Sequence, residues 1–303
     1  MHVFITGGTG LIGSPVVAEL IDTGHTVLAL ARSDASAEAA EAAGAQPWRG
    51  SMADLAALRA GAAQADAVIH LAFGNDYSTA EALAQSVAED TAAIETLGDE
   101  LRGSDRPFVL VSGTPWVAGR LSTEEDPLPT DGPVGGRGRA VNAALALASE
   151  GVRTSAVRMP RTVHNQGKGG FAGLLTDTAR RTGVSGYPGD GTQRWPAVHA
   201  LDAAVLFRLA LENAPAGSTL HAVDDEGVPI RAIAEVFGRH LDIPVSATSE
   251  QDAAAQFGFL AGFIGMDSPA SSTLTRELLD WRPTHPGLID DLEKGHYFQT
   301  PGA

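Results

Sequence analysis

Residues 6–13 read Thr-Gly-Gly-Thr-Gly-Leu-Ile-Gly, set between the apolar run His2-Val3-Phe4-Ile5 and an apolar-periodic stretch, Leu11–Asp22. Few segments of this length restrict a fold so tightly. Gly8, Gly10 and Gly13 satisfy G-x-G-x-x-G, and Gly7 adds one more position without a side chain. The first glycines permit a tight turn and a close approach of backbone to a diphosphate, and Gly13 lets helix and strand pack closely. The helix start offers free N–H groups and the positive end of its dipole. A glycine-rich turn with no ligand has the same letters. The apolar strand before it and the amphipathic helix after it are the context that marks a dinucleotide site. Gly7, Thr9, Gly10, Leu11, Ile12 and Gly13 are therefore the expected cofactor contacts.

The pattern repeats through the first half of the chain. Short β-branched runs at Val3–Thr6, Thr26–Ala31, Ala45–Trp48, Ala67–Ala72, Phe108–Ser112 and Arg153–Arg158 alternate with Ala-rich helical stretches, the longest near Thr79–Arg102. The last helix of the series is expected at Arg139–Glu150. Such alternation predicts an α/β fold, a doubly wound parallel sheet of Rossmann type with both faces covered. From Met159 onward Gly and Pro are frequent, strands are short, and helices at Leu201–Glu212, Ile230–Leu241 and Thr273–Leu279 are joined by irregular links. The expected division is a dinucleotide-binding domain over 1–159 and a smaller substrate lobe over 160–303, with room for segments to interleave. Such a lobe belongs over the C-terminal edge of the sheet, where open α/β sheets bind ligands.

The end of the second strand bears on which dinucleotide is bound. An NAD site needs a carboxylate about 20 residues past the glycines, to accept from the ribose 2′-hydroxyl. This strand ends Leu28-Ala29-Leu30-Ala31-Arg32-Ser33. Ala31 takes the acidic place, and Arg32 with Ser33 can grip a 2′-phosphate, which points to NADP. The bland alternative is a solvated Arg32 with Asp34 serving the ribose.

Composition removes other classes. A formal net charge of −16 disfavours nucleic acid and anionic membrane surfaces as partners. With no cysteine there is neither a disulfide nor a thiolate metal site or nucleophile. Histidines are scattered without the spacing of a zinc site, so no metal is expected. The opening residues lack the basic flank and long apolar core of a signal peptide, which reads as a cytoplasmic protein.

At this point the chain resembles the extended and atypical short-chain dehydrogenase/reductase superfamily, the NAD-dependent epimerase/dehydratase type. The likeness runs through nearly the whole length. It rests on the glycine-rich start, Val68-Ile69-His70-Leu71-Ala72, Arg158-Met159-Pro160, Tyr187-Pro188-Gly189-Asp190-Gly191 leading into Trp195-Pro196-Ala197-Val198-His199, and Leu279-Asp280-Trp281-Arg282-Pro283. The resemblance implies that Leu71 and Ala72, with Phe73 after them, line the nucleoside, and that Ser51 and Met52 flank the adenine. It places Pro160 and the stretch after it, Val163 included, against the nicotinamide. His70 reads as a packed strand residue. The long helix near Thr79–Arg102 pairs across a homodimer in that superfamily.

The superfamily's chemistry rests on a Ser/Thr near the end of the fifth strand and on Tyr-x-x-x-Lys in the next helix. Matching Val117-Ala118-Gly119 to Val-Tyr-Gly puts Thr114 at the hydroxyl position. Gly135 falls where the tyrosine belongs and Arg139 where the lysine belongs. The three tyrosines are Tyr77, Tyr187 and Tyr297, and none precedes a lysine by four. Three readings remain open. The first is an NADP-dependent oxidoreductase reducing a carbonyl or imine without the usual relay; the second is a catalytically silent NADP-binding sensor; the third is an epimerase or dehydratase. For the first, His164 is the leading alternative proton donor, with His199 and Tyr77 behind it, and Arg194 can reach a substrate anion. Phe257, Leu260, Phe263 and Ile264 recur at helical spacing among glycines, as either core or the wall of an apolar site.

Overall fold

A computed structural model describes residues 1–74, 79–132, 134–166 and 170–299. The first half runs β1 (His2–Thr6), α1 (Gly13–Asp22), β2 (Thr26–Ala31), α2 (Asp34–Ala42), β3 (Gln46–Arg49) and α3 (Leu55–Ala63). It continues with β4 (Ala67–His70), α4 (Ala80–Leu101), β5 (Pro107–Gly113), α5 (Gly135–Ala146) and β6 (Arg153–Met159). Then follow β7 (Thr162–His164), α6 (Gly170–Thr182), β8 (Ser185–Pro188), β9 (Arg194–His199), α7 (Ala200–Asn213) and β10 (Ser218–His221). The chain ends through β11 (Asp225–Pro229), α8 (Ile230–Leu241), β12 (Val245–Thr248), α9 (Glu250–Phe257), α10 (Ala261–Ile264), α11 (Thr273–Leu279) and α12 (Leu288–Glu293).

Seven parallel strands form the main sheet in the order β10-β6-β5-β4-β1-β2-β3. The alternation of a strand is visible in β1. Val3 and Ile5 face Val16, Val17 and Leu20 of α1 with Leu206 and Phe207 of α7, while Phe4 turns to Leu58 of α3 and Leu97 of α4. Both faces are thus dry, which is why the central strands β1, β2 and β4 are mostly apolar rather than half polar. Strand order reverses between β1 and β4, and the crevice at their C-terminal ends, where Thr6 is in register with His70, is the place for a ligand.

The second half does not stay apart from the first. β10 adds to the main sheet beside β6, and α7 lies on the same face as α1. The remaining segments make a smaller lobe around a separate core that includes Trp195, Phe237, Leu260, Leu288 and Tyr297. Its frame is the three-stranded sheet β11-β9-β7, with β12-β8 beside it. The stripe expected at Phe257–Ile264 is broken: Gly258 takes φ +57°, and the segment splits into α9, a short 3-10 turn and α10. Phe257, Leu260 and Ile264 still reach the lobe core, whereas Phe263 stays partly exposed. No helix among the described residues is long and apolar enough to cross a membrane.

Trp281 seals the second half onto the first. It is 1% exposed, packs in the same core as Val16 and Phe207, and donates its indole N–H to the Asp202 carbonyl at 3.0 Å. Trp281→Ala is expected to cost about 3–5 kcal/mol. Chemical denaturation measures this, and a loss under 1 kcal/mol would show that the contact is dispensable.

Candidate active site

The glycines of the first turn are used to their limit. Gly7 sits at φ +72°, and a Cβ there would lie 2.7 Å from the amide nitrogen of Ala72. A Cβ on Gly13 would come within 2.0 Å of the Gly7 carbonyl oxygen. Neither position has room for any other residue. The backbone N–H of Gly10 closes the turn on the Gly7 carbonyl at 3.1 Å. α1 then begins at Gly13, two residues later than its apolar period predicts, without a side-chain cap and without an acid in its first turn. The N–H groups of Leu11, Ile12 and Gly13 make no hydrogen bond among the described residues, and with the helix dipole they fit the diphosphate of a dinucleotide. Thr9 and Gly10 are exposed around this cradle, and Leu11 and Ile12 are half-buried.

At the end of β2, Arg32 is exposed and makes no hydrogen bond or ion pair among the described residues. Ser33 caps α2, its hydroxyl accepting from the Ser36 N–H at 3.2 Å. Asp34 is ion-paired with Arg49 from the end of β3. Ser51 and Met52 are half-buried just before α3, which is capped by Asp54.

A buried polar chain ties the crevice to the helices behind it. The Thr6 hydroxyl accepts from the Ala72 N–H at 3.2 Å and lies 2.8 Å from His70 Nδ1. Donating to that nitrogen leaves the proton of the neutral imidazole on Nε2, which faces Asp90 Oδ1 at 3.1 Å. The other oxygen of Asp90 pairs with Arg137 Nε at 3.2 Å. Arg137 in turn donates to the Val111 carbonyl at 3.2 Å and lies 4.2 Å over the ring of Phe73. His70 is thus a packed strand residue with both nitrogens engaged.

Arg139, matched to the lysine by resemblance, is exposed and donates to the Thr130 carbonyl. Arg137 is the guanidinium turned toward the crevice. α5 starts at Gly135, four residues before the expected Arg139, so both arginines are helical and stand about 200° apart around its axis, and only one of them can face inward. Thr114 lies just past β5, with its N–H bonded to the Met159 carbonyl at 2.9 Å and its hydroxyl unbonded among the described residues. Ser112, also at this strand end, has a buried hydroxyl without a partner. Pro160 and Val163 are buried beside the crevice, and Leu71, Ala72 and Phe73 are half-buried along it.

The remaining candidates have other occupations. Tyr77 lies outside the described residues. Tyr297 is buried and accepts from the Asn165 N–H, and Tyr187 sits under Arg231. Arg194 is held by Asp267 through a two-bond fork at 3.0 and 2.9 Å. His164 is fully enclosed, its Nδ1 2.9 Å from Asp291 Oδ2 and its Nε2 without a partner among the described residues. Three residues of extended chain, roughly 10 Å, separate it from Arg161. His199 is in register with it on β9, caps α7 through an Nδ1 that accepts from the Leu201 N–H, and stacks on His285 at 4.7 Å. Burial, helped by His164, pushes His199 down to about 4, so it is a neutral acceptor near pH 7.

His164, His199 and Asp291 also form a cluster that linear spacing gives no sign of, with donor atoms within 4.8 Å of one another. The carboxylate there is already shared between an imidazole and Lys294, whose Nζ is 3.5 Å from Oδ1. Burial works to raise the Asp291 pKa, but the bond from His164 and the nearby positive groups outweigh it and carry it below the usual range.

The NAD dependent epimerase/dehydratase family model matches residues 3–223. The chain is 44% identical over 300 residues to protein C2A9.02 of Schizosaccharomyces pombe, covering 98% of this chain and all of the relative. It is 27% identical to a Streptomyces 3-diazoavenalumate denitrifying reductase, over 96% of this chain and 99% of that one. Among solved structures, UDP-glucose 4-epimerase of Thermotoga maritima superposes with a TM-score of 0.75 at 19% identity, covering 98% of each chain.

The contact between Gly13 and the Gly7 carbonyl leads to a direct test. Gly13→Val is expected to abolish dinucleotide binding while the far-ultraviolet dichroism stays near native. Calorimetric titration with NADPH checks it, and unaltered affinity would mean that the turn is structural only.

Proposed function

The chain belongs to the NAD-dependent epimerase/dehydratase family, and from that premise we propose that it is an NADP(H)-dependent reductase of a carbonyl or imine on a small molecule. The observation that carries the cofactor choice is the charge at the ends of β2 and β3. Arg32 has no partner among the described residues, and the next carboxylate along the chain, Asp34, is occupied by Arg49. A ribose 2′-hydroxyl needs a free acceptor at this place; a 2′-phosphate needs free positive charge. The reductase named among the relatives supports the reductive direction.

NADPH, when bound, supplies the hydride; the chain supplies position and polarity. Pro160 and Val163 would border the nicotinamide, and Leu71, Ala72 and Phe73 would line the nucleoside. Arg137, rather than Arg139, holds the nicotinamide ribose. Its guanidinium stays protonated and so cannot move a proton. Thr114 Oγ1 donates a hydrogen bond to the substrate oxygen or nitrogen as negative charge gathers there. Water closes the proton balance, because His164 is enclosed. A missing general acid costs roughly 10²–10⁴-fold in rate, which slows hydride transfer without forbidding it. The glycine at position 135, where the superfamily's tyrosine belongs, favours a second reading, a cofactor-binding sensor without turnover.

Calorimetry should find tighter binding of NADPH than of NADH. Arg32→Ala is expected to weaken NADPH by about 1–3 kcal/mol and leave NADH nearly unchanged; equal affinities in the native protein would end the NADP assignment. Oxidation of NADPH with a panel of carbonyl and imine compounds tests the chemistry. In a turning-over protein, Thr114→Val should lower kcat/KM by roughly 10–100-fold with little change in cofactor affinity. Full activity in that variant would remove Thr114 from the mechanism. No turnover with any compound, together with an NADPH-dependent change of oligomeric state, would establish the sensor.

A further inference from the structure

Arg161 stands one residue past Pro160, where the chain leaves β6 for β7, in surroundings unusual for a cation. Its guanidinium carbon lies 5.3 Å from the ring centre of Phe263, 5.7 Å from that of Trp195 and 5.9 Å from that of Phe171. Phe171 meets Trp195 and Phe263 edge-on at 5.6 and 6.3 Å, so the rings make a continuous wall. Among the described residues no carboxylate, carbonyl or hydroxyl accepts from Arg161. Trp195 is fully buried, and its indole N–H also lacks an acceptor among the described residues.

These are two kinds of unmet donor at one place. A guanidinium has five N–H groups, and a half-buried one without an acceptor or counter-charge among the described residues is costly to keep. Burial duly pulls the Arg161 pKa below its ordinary value. Fully apolar replacement would remove the cost, so the arginine calls for a ligand. The neighbouring cation cannot serve the same purpose, since Arg194 is neutralised by Asp267.

We propose that Arg161 is the anion-recognition residue of the substrate cleft, binding the carboxylate of a flat, apolar acid whose body lies against Phe171 and Phe263, with the buried Trp195 packed against Phe171. The planar fork of the guanidinium matches the two oxygens of a carboxylate. One unopposed positive charge suits a monoanion, whereas a phosphate dianion needs a second cation. The formal net charge of −16 repels anions in general, so an acid must be held by a local cation. Proximity to the chemistry follows from the backbone: the Met159 carbonyl, two residues before Arg161, is the group that anchors Thr114. The assignment rests on the reductase reading for the meaning of the cleft and names its substrate class.

Binding of benzoate, compared with its neutral analogue benzamide, tests the proposal without turnover. Calorimetry on the full chain should show benzoate bound more tightly than benzamide. Arg161→Met should weaken benzoate roughly 10–100-fold and leave benzamide unchanged. Arg161→Lys, which keeps the charge but not the fork, should fall between. The melting temperature of Arg161→Met should hold or rise, because a stranded cation is removed. Equal binding of benzoate and benzamide, or unweakened benzoate in Arg161→Met, would overturn the proposal. A fall in melting temperature without a change in benzoate affinity would make Arg161 a structural cation and overturn it equally. NADPH affinity, measured in the same variants, reports on the reductase reading alone.

Discussion

The Gly7–Gly13 contact is the constraint on which the rest of the molecule depends. The amide of Ala72 and the start of α1 both press against the first turn, and a single methyl at either glycine would strike backbone, which cannot swing aside as a side chain can. Because the turn is so tight, α1 lies flat on β1, and Val16, Val17 and Leu20 can meet Phe207 of α7. The same closeness brings the end of β4 beside the turn. The crevice between β1 and β4 is therefore a by-product of close packing, and the groups around it inherit their positions from it.

Behind the crevice, polarity is handled by enclosure in pairs. Asp90 is fully buried yet has His70 on one oxygen and Arg137 on the other. Removing one partner of such a set leaves a charge stranded in a dry interior, which is far costlier than never having placed it there. This chain links the first strand, the fourth strand and two helices, and it ends on Phe73 at the crevice wall. Arg137 is thus held in place from behind before any ligand arrives. Arg194 is likewise paired, with Asp267, nearer the surface of the lobe. Arg161 breaks the pattern.

Much of the fold could be read from local pattern. Ile230–Leu241 and Thr273–Leu279 appear where their periodicity places them, and the six strands of the first half lie within a few residues of their expected spans. What failed to show was anything set by rotation or by distant partners. Arg137 and Arg139 are chemically identical, and the way α5 packs against α4 and β5, which places Arg137 on Asp90 and the Val111 carbonyl, decides which one turns inward. Asp291 comes to His164 from 127 residues away, through the docking of α12, and no spacing rule reaches so far. Arg161 is silent in the sequence for a similar reason. Its signal is a missing partner, and a sequence cannot list the partners a residue lacks. A cation followed in the chain by Phe171 and Trp195 is a hint only once β7, α6 and β9 are known to converge.

The place of β10 has an outcome of its own. β10 hydrogen-bonds along the outer side of β6 from Ser155 to Arg158, so the sheet is finished by residues made long after the Rossmann half has emerged. Until then β6 is an open edge with unpaired backbone groups, ready to pair with whatever strand it meets. Release of residues 1–159 alone, by proteolysis or by a premature stop, would expose that edge permanently together with the face of the sheet that α7 covers. The half that holds the cofactor turn is thus ill suited to life as a separate module, and its solubility depends on a strand supplied by the other half.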